Sequence, residues 1–256
     1  MDLGLAERVF LVTGGTSGLG RATAEALVAE GARVVVIART PEAIDDAARA
    51  MGEHAVGLPG DLADPDLPDR AVRTALESFG RLDGALLSTG GPPPGSVLTT
   101  TDEQWDRAWE SVFLGTLRMM RAVVSGIRTS GTSEGAAIAV VLSTSAIEVF
   151  PGLTASNGLR PGLSMLVKDL ADEVGPEGIR VLGLLPGRIA TGRLRALDEA
   201  SGDPAAARAR AEAAIPLRRY GTPEEFGRVA AFALSPAAGY LTGSLVRVDG
   251  GSTRSL

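Results

Sequence analysis

At 256 residues, 45% of them hydrophobic, the chain is long enough to bury one large core and too apolar to stay disordered. A net charge of −6 argues against a general affinity for nucleic acid, which needs clustered cations. The absence of cysteine excludes disulfides, thiolate nucleophiles and cysteine-held metals, and with one histidine, His54, no metal site is expected. The N-terminal "MDLGLAERVFLVTGG" lacks the basic start and apolar run of a signal peptide. No apolar run approaches the ~20 residues of a membrane span, so a cytoplasmic protein without membrane contact is expected.

In chain order, short apolar runs alternate with longer helical patterns. The runs are Arg8–Val12, Arg33–Ile37, Ala55–Leu58, Gly84–Leu87, Ala136–Leu142, Arg180–Leu185 and Ser244–Val248. They are mostly continuously apolar instead of alternating, as expected of strands covered by helices on both faces. Helices are predicted over about Leu19–Glu30, Pro41–Met51, Leu67–Phe79, Thr101–Ile127, Leu159–Val174 and Pro223–Leu234. Thr40-Pro41 and Thr222-Pro223 each place a capping hydroxyl before a proline at the first helical position. Gly31, Gly52 and Gly80 stand where helices stop. The alternation predicts an α/β fold, a doubly wound parallel sheet with right-handed crossovers, in one domain spanning residues 1–256. Residues Gly192 to Pro216 interrupt the alternation after a strand end, and read either as a substrate-covering helix pair or as a surface excursion.

The strongest local signal is "VFLVTGGTSGLGRATAEALVAEGARVVVIART". A strand, a turn with the spacing G-x-x-x-G-x-G at Gly14, Gly18 and Gly20, a helix and a second strand follow one another. Glycines there let the backbone approach a pyrophosphate at the positive end of a helix. The candidate cofactor residues of this turn are Gly14, Thr16, Ser17, Gly18, Leu19 and Gly20. The second strand ends at Ala38-Arg39, where an NAD site usually carries an acid for the ribose 2′-hydroxyl. A cation there attracts a 2′-phosphate, which favours NADP(H) over NAD(H); the alternative is a solvated surface charge. Asp61, with Leu62 beside it, is placed for the adenine ring or serves as a turn residue.

With these pieces in order, the chain resembles the short-chain dehydrogenase/reductase family over nearly its whole length. The matching segments include "TGGTSGLGR", "GDLAD", "GRLDGALLSTGG", "VVLSTSA", "GIRVLGLLPGRIATGRL", "PLRRYGTPEEFGRVAAFALS" and "YLTGSLVRVDGG". The "GGPPPG" loop together with Ser156, Asn157 and Arg160 resembles a divergent bacterial branch commonly grouped with 3-oxoacyl-carrier-protein reductases. The resemblance implies a Rossmann-type sheet of about seven strands, a homodimer or homotetramer, and a nicotinamide site bordered by Thr89, Gly90, Pro186, Gly187, Ile189 and Thr191.

The family's catalytic set is Asn, Ser, Tyr and Lys, and three of the four positions differ here. Ser143 matches the serine, with Ser145 a second candidate. Ser156 stands at the tyrosine position and Arg160 at the lysine position. Val112, or Ser111 with a one-residue shift, stands at the asparagine position. Tyr220 and Tyr240 are remote in sequence from this set. The resemblance therefore implies an oxidoreductase acting on a small carbonyl or alcohol, with Ser143, Ser156 and Arg160 as an atypical catalytic set. A cofactor-binding sensor without turnover, and a non-redox enzyme using the same pocket, are the competing readings.

Overall fold

The computed structural model describes residues 2–255. Its elements are β1 (Val9–Thr13), α1 (Gly18–Ala29), β2 (Arg33–Ala38), α2 (Pro41–Met51), β3 (Ala55–Pro59), α3 (Leu67–Phe79), β4 (Gly84–Ser88), α4 (Asp102–Ala108), α5 (Gly115–Ser130), β5 (Ala137–Val141), α6 (Thr154–Val174), β6 (Arg180–Pro186), α7 (Gly192–Glu199), α8 (Pro204–Ala214), α9 (Pro223–Leu234) and β7 (Ser244–Val248). The strands pair in parallel in the order β3-β2-β1-β4-β5-β6-β7. Every predicted strand forms within one residue of its expected bounds.

The reason for the unbroken apolar runs is visible in β1. Val9 and Leu11 face the core shared with Ala71 of α3, Val123 of α5 and Leu163 of α6. Phe10 and Val12 face the opposite core, with Leu27 of α1 and Phe226 and Ala230 of α9. Alternate residues of one strand thus enter different layers, and both layers are apolar. The chain reverses its direction of travel across the sheet between β1 and β4. Two neighbouring strands whose crossovers leave in opposite directions open a crevice beyond their C-terminal ends.

Buried polar anchors fix this frame. Asp83, fully buried, accepts the Val9 N–H at 2.9 Å and two hydrogen bonds from Arg81 at 2.8 and 2.6 Å. Arg180, at the start of β6, donates to the carbonyls of Ala233 and Ser235 at 2.8 Å each, tying β6 to the end of α9. Burial pulls its pKa down to about 10, so it stays a cation near neutrality.

Helix limits differ from expectation in three places. The segment predicted as one helix over Thr101–Ile127 consists of α4 and α5 joined by a π-helical turn, Trp109–Leu114. Ser111 and Val112 lie in this π-helical turn and border the crevice. α6 begins at Thr154, five residues before the predicted Leu159, and runs through Pro161. Pro161 lacks the N–H that would reach Asn157, and packing supplies the compensation: Ser156, Leu159, Arg160 and Leu163 are all buried. Asn157 turns its amide away from the helix, accepting the Phe150 N–H at 3.1 Å and donating to the Phe150 carbonyl at 2.8 Å. The third difference is a cap. Thr222 and Glu225 close a reciprocal capping box on α9, whereas the Thr40 hydroxyl makes no capping bond, and Thr40 borders the crevice.

Replacing Asp83 by Ala leaves the buried Val9 N–H without an acceptor and should lower stability by about 2–3 kcal/mol, read as a shifted midpoint in urea denaturation.

Candidate functional site

Two adjoining cavities open at the C-terminal ends of β1 and β4. The first, of about 670 Å³, is lined by Ser143, Ser156, Arg160, Pro186, Ile189 and Thr191 among others. The second, of about 950 Å³, is lined by Thr16, Arg39, Asp61, Leu62, Ser111 and Val112 among others. Gly14, Ser17, Ser88, Thr89, Gly90 and Gly91 border both, so the two are halves of one cleft joined at a waist.

The glycine turn builds one wall of the waist. Gly14 and Gly18 have φ of +63° and +53°, a region that costs a side-chain-bearing residue free energy. A Cβ on Gly20 would overlap the Gly14 carbonyl, so Gly20 permits the turn to close rather than lining the cleft itself. Ser17 stands at the N-cap of α1 with no capping bond from its side chain, and the first turn carries no acid. The positive end of α1 therefore faces the waist without an acidic neighbour in that turn. The opposite wall follows β4. Thr13 and Ser88 exchange two hydrogen bonds, with the Thr13 hydroxyl donating to the Ser88 carbonyl at 2.9 Å and accepting its N–H at 2.7 Å.

In the second cavity Arg39 is exposed and makes no ion pair among the described residues. Asp61 accepts the Ala63 N–H at 3.0 Å, so its carboxylate shapes the turn after β3 as well as lining the cavity. At the asparagine position, Val112 is 3% exposed and supplies no polar group, and the Ser111 hydroxyl donates to the Arg107 carbonyl at 2.8 Å.

The first cavity holds Ser143, Ser156 and Arg160. Ser156 and Arg160 lie one turn apart on the buried face of α6, 6% and 4% exposed. Arg160 donates to the Val141 carbonyl at 2.7 Å and to the Thr89 hydroxyl at 2.9 Å, while its Nε–H has no partner. No carboxylate pairs with it among the described residues. Burial, reinforced by the charge of Arg193, pulls its pKa down to about 10. That lies well above neutrality, so the site keeps a desolvated cation at working pH.

The two serine candidates occupy different places. Ser143 ends β5 and lines the cavity, and its hydroxyl accepts the Ser145 N–H at 3.1 Å. Ser145 is buried behind it and shares a 2.8 Å hydrogen bond with the Ser156 hydroxyl. Neither tyrosine replaces the missing phenol. Tyr220 packs with Leu194 and Ile215 and donates its hydroxyl to Asp198 at 3.2 Å, while Tyr240 is fully exposed. His54 sits in the turn before β3, outside both cavities.

The segment 192–216 contains α7 and α8, and Arg193, Leu194, Leu197, Ala211 and Ile215 line the first cavity. Among the lining residues that the sequence reading did not single out are Glu148 and Arg193. Glu148 accepts the N–H groups of Arg254 and Ser255 at 2.7 and 3.1 Å, bringing the C-terminal residues to the cavity mouth. Arg193 reaches across the cleft to the Pro92 carbonyl at 3.0 Å. Sequence spacing flags neither, because each depends on where a loop folds back.

Substituting Gly20 by Ala should deform the turn and abolish dinucleotide binding, with little loss of secondary structure by circular dichroism. Retained binding would mean that the turn is not the ligand-holding element.

The family model described as "Enoyl-(Acyl carrier protein) reductase" matches residues 14–253. "Short-chain reductase protein NovJ" of Streptomyces niveus is 35% identical over 96% of this chain and 94% of its own length. Human "Dehydrogenase/reductase SDR family member 4" is 32% identical over 98% of this chain and 90% of its own. Among solved structures, L-sorbose reductase from Gluconobacter frateurii complexed with NADPH and L-sorbose superposes with a TM-score of 0.93 at 31% identity, covering 100% of both chains. The glycine turn, the switch-point cleft and these full-length matches agree: the chain belongs to the short-chain dehydrogenase/reductase family of oxidoreductases.

Proposed function

We propose that the protein is an NADP(H)-dependent carbonyl reductase or alcohol dehydrogenase whose catalytic set is Ser143, Ser156 and Arg160. The observation that carries this reading is the desolvated, acid-free Arg160 cation beside two serine positions, in a cavity continuous with the glycine turn. The residues fit a dinucleotide. Gly14 and Gly18 of the turn line the cleft without side chains, Gly90 has open space where a Cβ would be, and the orphaned Nε–H of Arg160 offers a buried donor. Bound there, the nicotinamide supplies or accepts the hydride.

The chain's own residues do the rest. Ser143 and Ser156 offer hydroxyls to the substrate oxygen. When Ser145 donates to Ser156 across their 2.8 Å contact, the Ser156 proton is free to point at that oxygen. Arg160 binds ribose hydroxyls and stabilises the alkoxide that develops during carbonyl reduction, a role that needs charge and not proton transfer. The proton itself comes from water held by the serine hydroxyls. Without a phenol as general acid, turnover should fall about 10²–10⁴-fold below what a positioned acid sustains. Hydrophobic residues from α7 and α8 shield the reaction from bulk water.

Arg39 takes the cofactor's 2′-phosphate, and the absence of an acid at Ala38 removes the usual partner of a free 2′-hydroxyl. Exposed Trp109 stacks on Phe113 with ring centroids 4.3 Å apart, Phe113 packs against Gly162 of α6, and Met165 of α6 is also exposed; these apolar side chains support a homodimer or homotetramer built on these helices. A cytoplasmic location agrees with this reading; no helix among the described residues is long and apolar enough to cross a membrane. The second reading, a cofactor sensor without turnover, draws on the absence of a phenol in either cavity.

Calorimetric titration with NADPH and NADH tests the proposal. NADPH should bind at least about tenfold more tightly, and Arg39→Ala should erase most of that preference. Equal affinities would remove Arg39 as the phosphate ligand, and no binding of either would remove the oxidoreductase reading. Because Arg160 is charged below about pH 10, NADPH affinity should hold through neutrality and decline as the pH rises past that value. The decline should be absent in Arg160→Met, whose affinity is already low.

A further inference from the structure

Thr191, Gly192 and Arg193 cross the waist of the cleft from one wall to the other. On the near side, a Cβ placed on Gly18 would meet the Thr191 methyl at 3.3 Å, so Thr191 packs against the first residue of α1. Two residues on, the Arg193 guanidinium lies flat against Gly91, where an added Cβ would overlap it, and donates to the Pro92 carbonyl at 3.0 Å. Thr191 also accepts the Leu194 N–H with its hydroxyl and so starts α7, which makes this strap the hinge side of the covering helices. Gly192, between them, has open space where a Cβ would be.

A dinucleotide lying in this cleft puts its adenosine half near Asp61 and Arg39 and its nicotinamide half near Arg160. Its diphosphate must then pass the waist, beside the N-terminus of α1 and beneath the strap. Arg193 makes no ion pair among the described residues, although it faces a cavity with a second unpaired cation, Arg160. Loss of water around its guanidinium lowers its pKa, and its charge in turn lowers that of Arg160. Neither cation is paired with a carboxylate, and the acid in the cavity lining, Glu148, accepts the Arg254 and Ser255 N–H groups instead, which leaves charge that an anion would relieve.

We infer that Arg193 is a diphosphate ligand carried by the covering segment, so that the bound cofactor holds α7 over the first cavity. This rests on the NADP(H) reading above. It goes further in giving the covering helix an electrostatic reason to close only when a cofactor is present. The rival destination for the guanidinium is an acidic group on the substrate, and the two separate cleanly.

The test compares NADPH with adenosine 2′-monophosphate, which carries the adenosine and the 2′-phosphate but neither phosphate of the diphosphate bridge and no nicotinamide half. Binding to the wild type, Arg193→Gln and Arg193→Lys is measured by calorimetry. Arg193→Gln should weaken NADPH about tenfold, leave the monophosphate unchanged, and be largely restored by lysine. Hydrogen exchange across residues 192–214 should slow on NADPH binding in the wild type and not in Arg193→Gln. Unchanged NADPH affinity in Arg193→Gln, or equal weakening of both ligands, overturns the inference; the first result would send Arg193 to the substrate. A wild type that binds the monophosphate but not NADPH also overturns it, and failure of the wild type to bind either ligand overturns the NADP(H) reading itself.

Discussion

A guanidinium with no acid beside it, buried at the centre of a cavity, is the constraint around which the site is arranged. Arg160 reaches its place because α6 begins early enough to put residues 156 and 160 on one buried face. Its two firm partners, the Val141 carbonyl and the Thr89 hydroxyl, come from β5 and from the loop after β4. The cation therefore ties together the three elements that border the first cavity. A neutral carbonyl and a hydroxyl satisfy its N–H groups without neutralising its charge, and the positive potential remains for a ligand. A carboxylate in place of Thr89 would make the same hydrogen bond and cancel that potential.

The sheet explains why these groups meet. Reversal between β1 and β4 opens the cleft, and every candidate contributes from the C-terminal end of a strand or the helix that follows it. The glycine turn follows β1, Arg39 follows β2, Asp61 follows β3, Thr89 and Gly90 follow β4, Ser143 follows β5, and Thr191 and Arg193 follow β6. Conversion of the family phenol to a serine leaves a smaller, weaker acid at the centre, with reference phenol pKa near 10 and an alcohol far above it. On the proposed reading, positioning and electrostatics are the main sources of rate, and both come from groups that need not titrate.

The parts of this molecule that announce themselves in the sequence are those with a strict local cause. Strands covered on both faces are largely apolar, which makes β1, β2, β4, β5 and β6 legible, while the edge strands β3 and β7 are only partly buried and stand out by their place in the alternation. The phosphate turn needs glycine for steric reasons at fixed spacing, and Gly20 bears this out by leaving no space for a Cβ beside Gly14. The start of α6 was obscured because Pro161 and two glycines, Gly158 and Gly162, read as a helix boundary. Packing of Ser156, Leu159 and Leu163 overrides that local preference. The Thr40 cap failed for the reverse reason, a favourable sequence pair whose hydroxyl the fold directs elsewhere. Whether Ser143 or Ser145 faces the cavity depends on one turn after β5, and Arg193 and Glu148 depend on long-range loop placement. No spacing rule encodes those.

The central claim is that a serine, a second serine and a desolvated arginine sustain hydride transfer without a phenol. Incubating the wild-type protein with NADPH deuterated at C4 and a panel of small carbonyl compounds, then reading the alcohols by mass spectrometry, tests it directly. The account predicts slow deuterium incorporation into at least one product from one face of the nicotinamide, lost in Arg160→Met. Tight NADPH binding with no label in any product, under conditions where a phenol-bearing relative reduces the same panel, would contradict it and leave a cofactor-binding protein without turnover.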